Sequence, residues 1–219
     1  MNYTLNFAPV WANLGSFLSG LALGLELAVA GILLGAIAGY LLAFVATGPW
    51  RAGRRLVGLY VSAIRNLPIL VLVLLIYFGL PQLGIRLGKI ESFIIALAFC
   101  AAAYLTEVFR AAIGSVPKGV VEAGRAIGLR EHQIALFLVT PIMLRQALPA
   151  LGSTFISLFK DTSIATAIAI PELTFQARKL NIDTFRVVEA WSTATVLYVA
   201  TCALIAFGLR ALERRFPRY

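Results

Sequence analysis

The chain has 219 residues, of which 60% are apolar and 13% charged, with a mean hydropathy of +0.89. Soluble domains run to about 25% charged residues, so this composition excludes a soluble domain with one anchor and requires several membrane spans. A net charge of +9 could suit nucleic acid, but the basic residues sit in short groups beside apolar runs, the distribution that membrane orientation requires.

In chain order, the first eleven residues carry no Lys or Arg, so they lack the basic region of a cleaved signal peptide, and the mature chain is expected to start near Met1. The first apolar run covers about residues 14–47, longer than one crossing needs, and its beginning is expected to tilt or lie along the interface. Gly31, Gly35 and Gly39 recur every fourth residue and lie on one helical face, where the backbone of another helix of the same subunit can approach. The second run, about 56–80, is interrupted by Arg65-Asn66-Leu67-Pro68 and ends at Pro81. Arg65 lies ten residues beyond Arg55, about 15 Å along a helix, and there it needs a partner. Pro68 should leave the carbonyl of Ile64 without its helical donor, and interrupted helices of this kind line substrate sites in transporters. The third run, about 92–113, carries Glu107 and Arg110, which share a helical face; they either neutralise each other or serve a substrate.

After Pro117 a more polar stretch predicts a short helix outside the bilayer, with Pro117 suited to its first turn and Gly128 to its left-handed end. Its Val120, Val121 and Ile127 need covering, most simply by the chain's own membrane part. The fourth run, about 134–159, contains Pro141 and Pro149 and ends at Lys160-Asp161-Thr162-Ser163, either a solvated helix end or part of a passage. The fifth covers about 190–209, followed by a basic tail.

Five spans put the termini on opposite sides. One side holds Arg51, Arg54, Arg55, Arg110, Lys118, Arg125, Arg130, Arg210, Arg214, Arg215 and Arg218, and the other holds Arg86, Lys89, Lys160, Arg178, Lys179 and Arg186. Eleven against six places the C-terminus in the cytoplasm and the N-terminus outside. Cys100 and Cys202 fall inside apolar runs and read as packing residues; His132 has no partner at zinc-ligand spacing and reads as an exposed loop residue. The nearest approach to a nucleotide-binding loop, Gly84 to Ile90, has the wrong spacing and no hydroxyl. A membrane-embedded enzyme would need a nucleophile or metal cluster, and an ion-gradient-driven amino acid transporter would usually show two similar halves; neither pattern is visible.

Glu122-Ala123, Gly128 six residues after the Glu, and Pro141 thirteen after that Gly together resemble the cytoplasmic loop by which permeases of ATP-binding-cassette (ABC) importers dock on their ATPase. Arg65 to Leu70, Tyr77 to Pro81, Tyr104 to Arg110 and Lys160 to Ser163 resemble, in order and spacing, the polar amino acid uptake subfamily of those permeases. Gly124 departs from the motif, where a second Ala is usual, and so do Arg130, Leu138 and Thr140. The resemblance implies one transmembrane permease domain over 1–219, all-α with five spans in the type I importer architecture, in a bacterial inner membrane, with a coupling loop at about 115–133. It implies Glu122, Ala123 and Gly128 as ATPase-coupling residues, and Arg65, Asn66, Glu107, Asp161, Thr162 and Ser163 as lining the substrate passage near the membrane centre and its outer half. The implied partners are an ATPase dimer that binds the ATP and Mg, an identical or similar second permease, an extracytoplasmic substrate-binding protein, and an amino acid substrate. No metal or cofactor is implied for this chain itself.

Overall fold

A computed structural model describes residues 3–215, and Met1, Arg218 and the side chain of Arg215 lie outside the described part. Among the described residues all regular structure is helical. A short helix α1 (Ala8–Ala12) precedes α2 (Leu14–Thr47), followed by α3 (Arg51–Arg65), α4 (Ile69–Leu74) with π and 3₁₀ turns to Leu83, and α5 (Lys89–Gly114). Then come α6 (Lys118–Ala126), the one-turn α7 (Glu131–Gln133) with a π-helical stretch, α8 (Thr140–Asp161) with a 3₁₀ segment (Thr162–Ile168), α9 (Leu173–Thr184) and α10 (Val187–Arg215).

Four helical stretches are long and apolar enough to cross a bilayer: Leu14–Thr47, Lys89–Gly114, Glu131–Ile168 and Val187–Arg214. Arg51–Arg65 and Ile69–Leu83 qualify only as a pair, bent by 100°. The packing of α2 on α5 shows that this pair is one crossing. A side chain added at Gly31 would meet Leu97, one at Gly35 would meet Ala98, Ala101 and Ala102, and one at Gly39 would meet Ala102, Leu105 and Thr106. Both helices therefore ascend in number together and run parallel, so the chain between them must cross the membrane. The fold has five spans, with α6 on the side of the C-terminus and α9 on the opposite, outer side.

Two apolar clusters hold the bundle. The larger draws Leu97, Ala101, Leu105 and Phe109 of α5 together with α2, α4, α8 and the 162–168 segment. The smaller joins Val10 and Phe17 to Leu173, Ala177 and Leu180 of α9 and to Ala190 and Ala194 of α10. The excess length of α2 seats α9: at Gly20 its backbone lies against Glu172, Leu173 and Gln176. The last helix also exceeds expectation, starting at Val187 and running through the basic tail to Arg215. Cys100 is buried, Cys202 half-buried, and neither is in a disulfide.

Candidate functional site

The break after α3 follows from Pro68, which has no N–H and disfavours a helical conformation at Leu67 before it. Asn66 caps the helix, its amide Nδ2 donating to the carbonyl of Ser62 at 2.7 Å. The carbonyl of Ile64 is not left free as the sequence suggested: the Leu67 N–H donates to it at 3.2 Å. Tightening of the last turn takes over the bond that Pro68 cannot make.

Gly58, Val61, Ser62 and Arg65 follow the spacing of one face of α3, and Tyr104 and Glu107 share a face of α5. The two faces, with Asn66, enclose an open pocket of about 390 Å³. The guanidinium of Arg65 stands 5.5 Å from the centroid of the Tyr104 ring, so the partner Arg65 required is an aromatic face. Glu107 is held in two-pronged fashion by Arg110, with Nε to Oε1 at 3.0 Å and Nη2 to Oε2 at 2.5 Å. Glu107 is thus neutralised by Arg110, as one of the two readings had it, and it also lines the pocket. Seven residues from the inner end of α5, it lies about 10 Å from that end. The pocket therefore lies toward the α6 end of the bundle.

Asp161, Thr162 and Ser163 do not line this pocket. They sit where α8 tightens into the 3₁₀ segment, on which α4 packs. Thr162 is fully buried, its hydroxyl donating to the Phe159 carbonyl at 2.7 Å, and Gly24 lets α2 approach that hydroxyl. Asp161 and Ser163 are half-buried. The proposed passage residues thus fall into two groups, Arg65, Asn66 and Glu107 in the inner half and 161–163 in the outer half, with α4 between.

The helix outside the bilayer, α6, ends as the sequence predicted. Gly128 adopts φ +82°, its N–H donating to Arg125 and the Leu129 N–H to Gly124, each at 3.0 Å, the paired bonds of a Schellman cap. Val120 and Val121 pack with Val116, Leu129, Ile134 and Val139, so the membrane part of the chain covers them, but Ile127, expected to be covered with them, is not. Gly124, the departure from the motif, is the buried contact: a side chain there would meet Leu138 at 2.8 Å and Ile134 at 3.1 Å. Glu122, Ala123 and Gly128 face solvent, and Ile127 is 76% exposed. Arg125 reaches across the Gly128 elbow to Glu131, at 2.7 Å and 3.1 Å, which raises the guanidinium pKa further above its usual value.

Two buried carboxylates escaped sequence reasoning. Glu172 caps α9, accepting the N–H groups of Thr174 and Phe175 at 2.8 Å and the Tyr198 hydroxyl at 3.0 Å. Burial raises its pKa against the lowering effect of these bonds. Glu189 accepts the Asn6 N–H at 2.8 Å and the Tyr3 hydroxyl, tying the N-terminal segment to α10, while Arg186 donates to the Thr4 carbonyl at 2.7 Å. A Pro-Glu pair before a polar helix was the available signal for Glu172; nothing local marks Glu189.

Residues 11–218 match the family of binding-protein-dependent transport system inner membrane components. The chain is 33% identical over 213 residues to the glutamine transport system permease protein GlnP of Escherichia coli (strain K12), covering 96% of this chain and 97% of that protein. It is 35% identical over 204 residues to the L-cystine transport system permease protein TcyB of Bacillus subtilis (strain 168), covering 91% and 86%. A crystal structure of an amino acid ABC transporter with histidines superimposes with a TM-score of 0.88 at 30% identity, over 97% of this chain and all of that one. An inward-facing MetNI methionine ABC transporter shares the fold, with a TM-score of 0.75 at 23% identity over 98% of this chain and all of that one.

Proposed function

Because the chain belongs to the family of binding-protein-dependent transport system inner membrane components, we propose that it works as the permease of an ABC importer whose substrates are polar amino acids. The observation that carries the reading is α6, a capped helix held rigidly against the membrane domain through Gly124 while Glu122, Ala123 and Ile127 face outward. A separate ATPase dimer would bind ATP and Mg, seat itself on that face and close, moving this chain and an identical or similar second permease between inward and outward access. A substrate-binding protein would deliver the amino acid from outside. Arg65, Asn66 and Glu107 on the inner side, and Asp161, Thr162 and Ser163 on the outer, would offer the polar contacts that replace its lost hydration.

The test is purification of the tagged chain from its own membranes in mild detergent, then reconstitution into vesicles with whatever co-purifies. An ATPase subunit should accompany it, and uptake of a labelled polar L-amino acid should require ATP and a binding protein. Uptake that continues without ATP under an imposed ion gradient would sink the proposal.

A further inference from the structure

On the outer side, away from the pocket of Arg65 and Glu107, a concavity of about 370 Å³ lies between the 162–168 segment and α9. That volume lies within the range of roughly 300–1,000 Å³ usual for small-molecule sites. Phe175, Arg178, Lys179, Ile182 and Asp183 of α9 form one wall, and Thr166, Ala167 and Ala169 the other. Ala169 has φ +55°, uncommon for a residue with a side chain, and its carbonyl is approached by the Lys89 ammonium at 3.5 Å.

Two features mark this hollow as more than a solvated helix face. Arg178, Lys179 and Asp183 make no ion pair among the described residues, whereas Glu107, Glu131 and Glu189 each hold an arginine. The remaining surface, from Ala167, Ala169, Phe175 and Ile182, is apolar. Free charges of both signs around an apolar floor are the complement of an α-amino acid: a carboxylate for Arg178 or Lys179, an ammonium for Asp183, and a side chain laid along Phe175 and Ile182. Two cations against one anion disfavour a further positive charge on the ligand.

We propose that this pocket is an outer receiving site for α-amino acids with neutral or acidic side chains, occupied before the substrate enters the passage. The proposal rests on the importer reading and adds a second place at which substrate is held. Its test uses the assembled transporter in vesicles with Ala167→Cys, which puts a thiol in the pocket wall. A membrane-impermeant methanethiosulfonate reagent is applied from the outer side, and the unsubstituted chain supplies the background from Cys100 and Cys202. Millimolar L-glutamine should slow modification of the introduced thiol several-fold, L-lysine should slow it less, and Asp183→Asn should abolish the protection. An unchanged rate with glutamine, in vesicles that still take glutamine up, overturns the receiving site and leaves the importer reading intact. Protection that survives Asp183→Asn, or that follows the binding protein whether or not amino acid is present, overturns it as well. Vesicles of the unsubstituted chain that take up no polar amino acid overturn the importer reading, and the receiving site with it.

Discussion

An unpaired charge inside a bilayer costs at least about 2.5–3.5 kcal/mol, so the pairing of Glu107 with Arg110 has a stability value of its own. What separates that role from a substrate role is the response to removing each partner. Glu107→Gln keeps the shape of the pocket wall and takes away its anion. If the carboxylate also contacts substrate, the loss of a charged hydrogen bond, worth about 1.5–3 kcal/mol, should lower transport about ten- to a hundredfold while the ATPase still co-purifies. Adding Arg110→Gln restores neutrality, and on this reading it leaves transport low. Full recovery in that double variant, measured as amino acid uptake per assembled complex, would show that Glu107 serves only Arg110. The spacing of 107 and 110 makes this pair legible in sequence. The stacking of Arg65 on Tyr104 is not, because it joins two helices whose relative rotation no local pattern encodes.

Among the elements, α6 is the one whose proposed coupling role depends on stiffness. Its C-terminal elbow combines the left-handed Gly128, the two backbone bonds of its cap and the Arg125–Glu131 pair. No neighbour lies within 4 Å of a side chain added at Gly128, so a substitution there is penalised through the backbone alone. For a residue with a side chain the left-handed conformation costs roughly 1–2 kcal/mol, and a β-branched one is worse placed still. Gly128→Val should therefore leave membrane insertion normal, shift the direction of α6, and strongly reduce both uptake and the stimulation of ATP hydrolysis by the binding protein. Normal stimulation in the reconstituted variant would remove the coupling role from this elbow. The frame of the motif was readable because Glu122, Ala123 and Gly128 are neighbours in the chain. The reason for Gly124 was not, since the side chains that exclude a Cβ there, Ile134 and Leu138, come from the next helical stretch.

Across the whole bundle, the parallel contact of α2 with α5 orders the remaining helices. At Gly35 an added Cβ would run into that of Ala101 and stand 2.9 Å from backbone atoms of Ala98 and Ala102, which no side-chain rotation can relieve. Gly35→Ala should lower stability by about 1–3 kcal/mol, the usual range for overpacking, seen as earlier thermal unfolding in detergent. Gly58→Ala, with open space around it, is the control and should be close to neutral. Equal behaviour of the two variants would dissolve the argument for a tight α2–α5 seam. The number of spans, their order, the orientation and the position of the short capped helix α6 were all present in the amino-acid sequence, because hydropathy, loop charge and cap residues act over stretches of twenty residues or fewer. Other features depend on which helix faces meet: the 100° turn at Pro68, the separation of Arg65 and Glu107 from Asp161, the use of the outer part of α2 to seat α9, and the burial of Glu172 and Glu189. Those are contacts between residues far apart in the chain, set by close packing of the whole bundle, and no local stretch of sequence carries them.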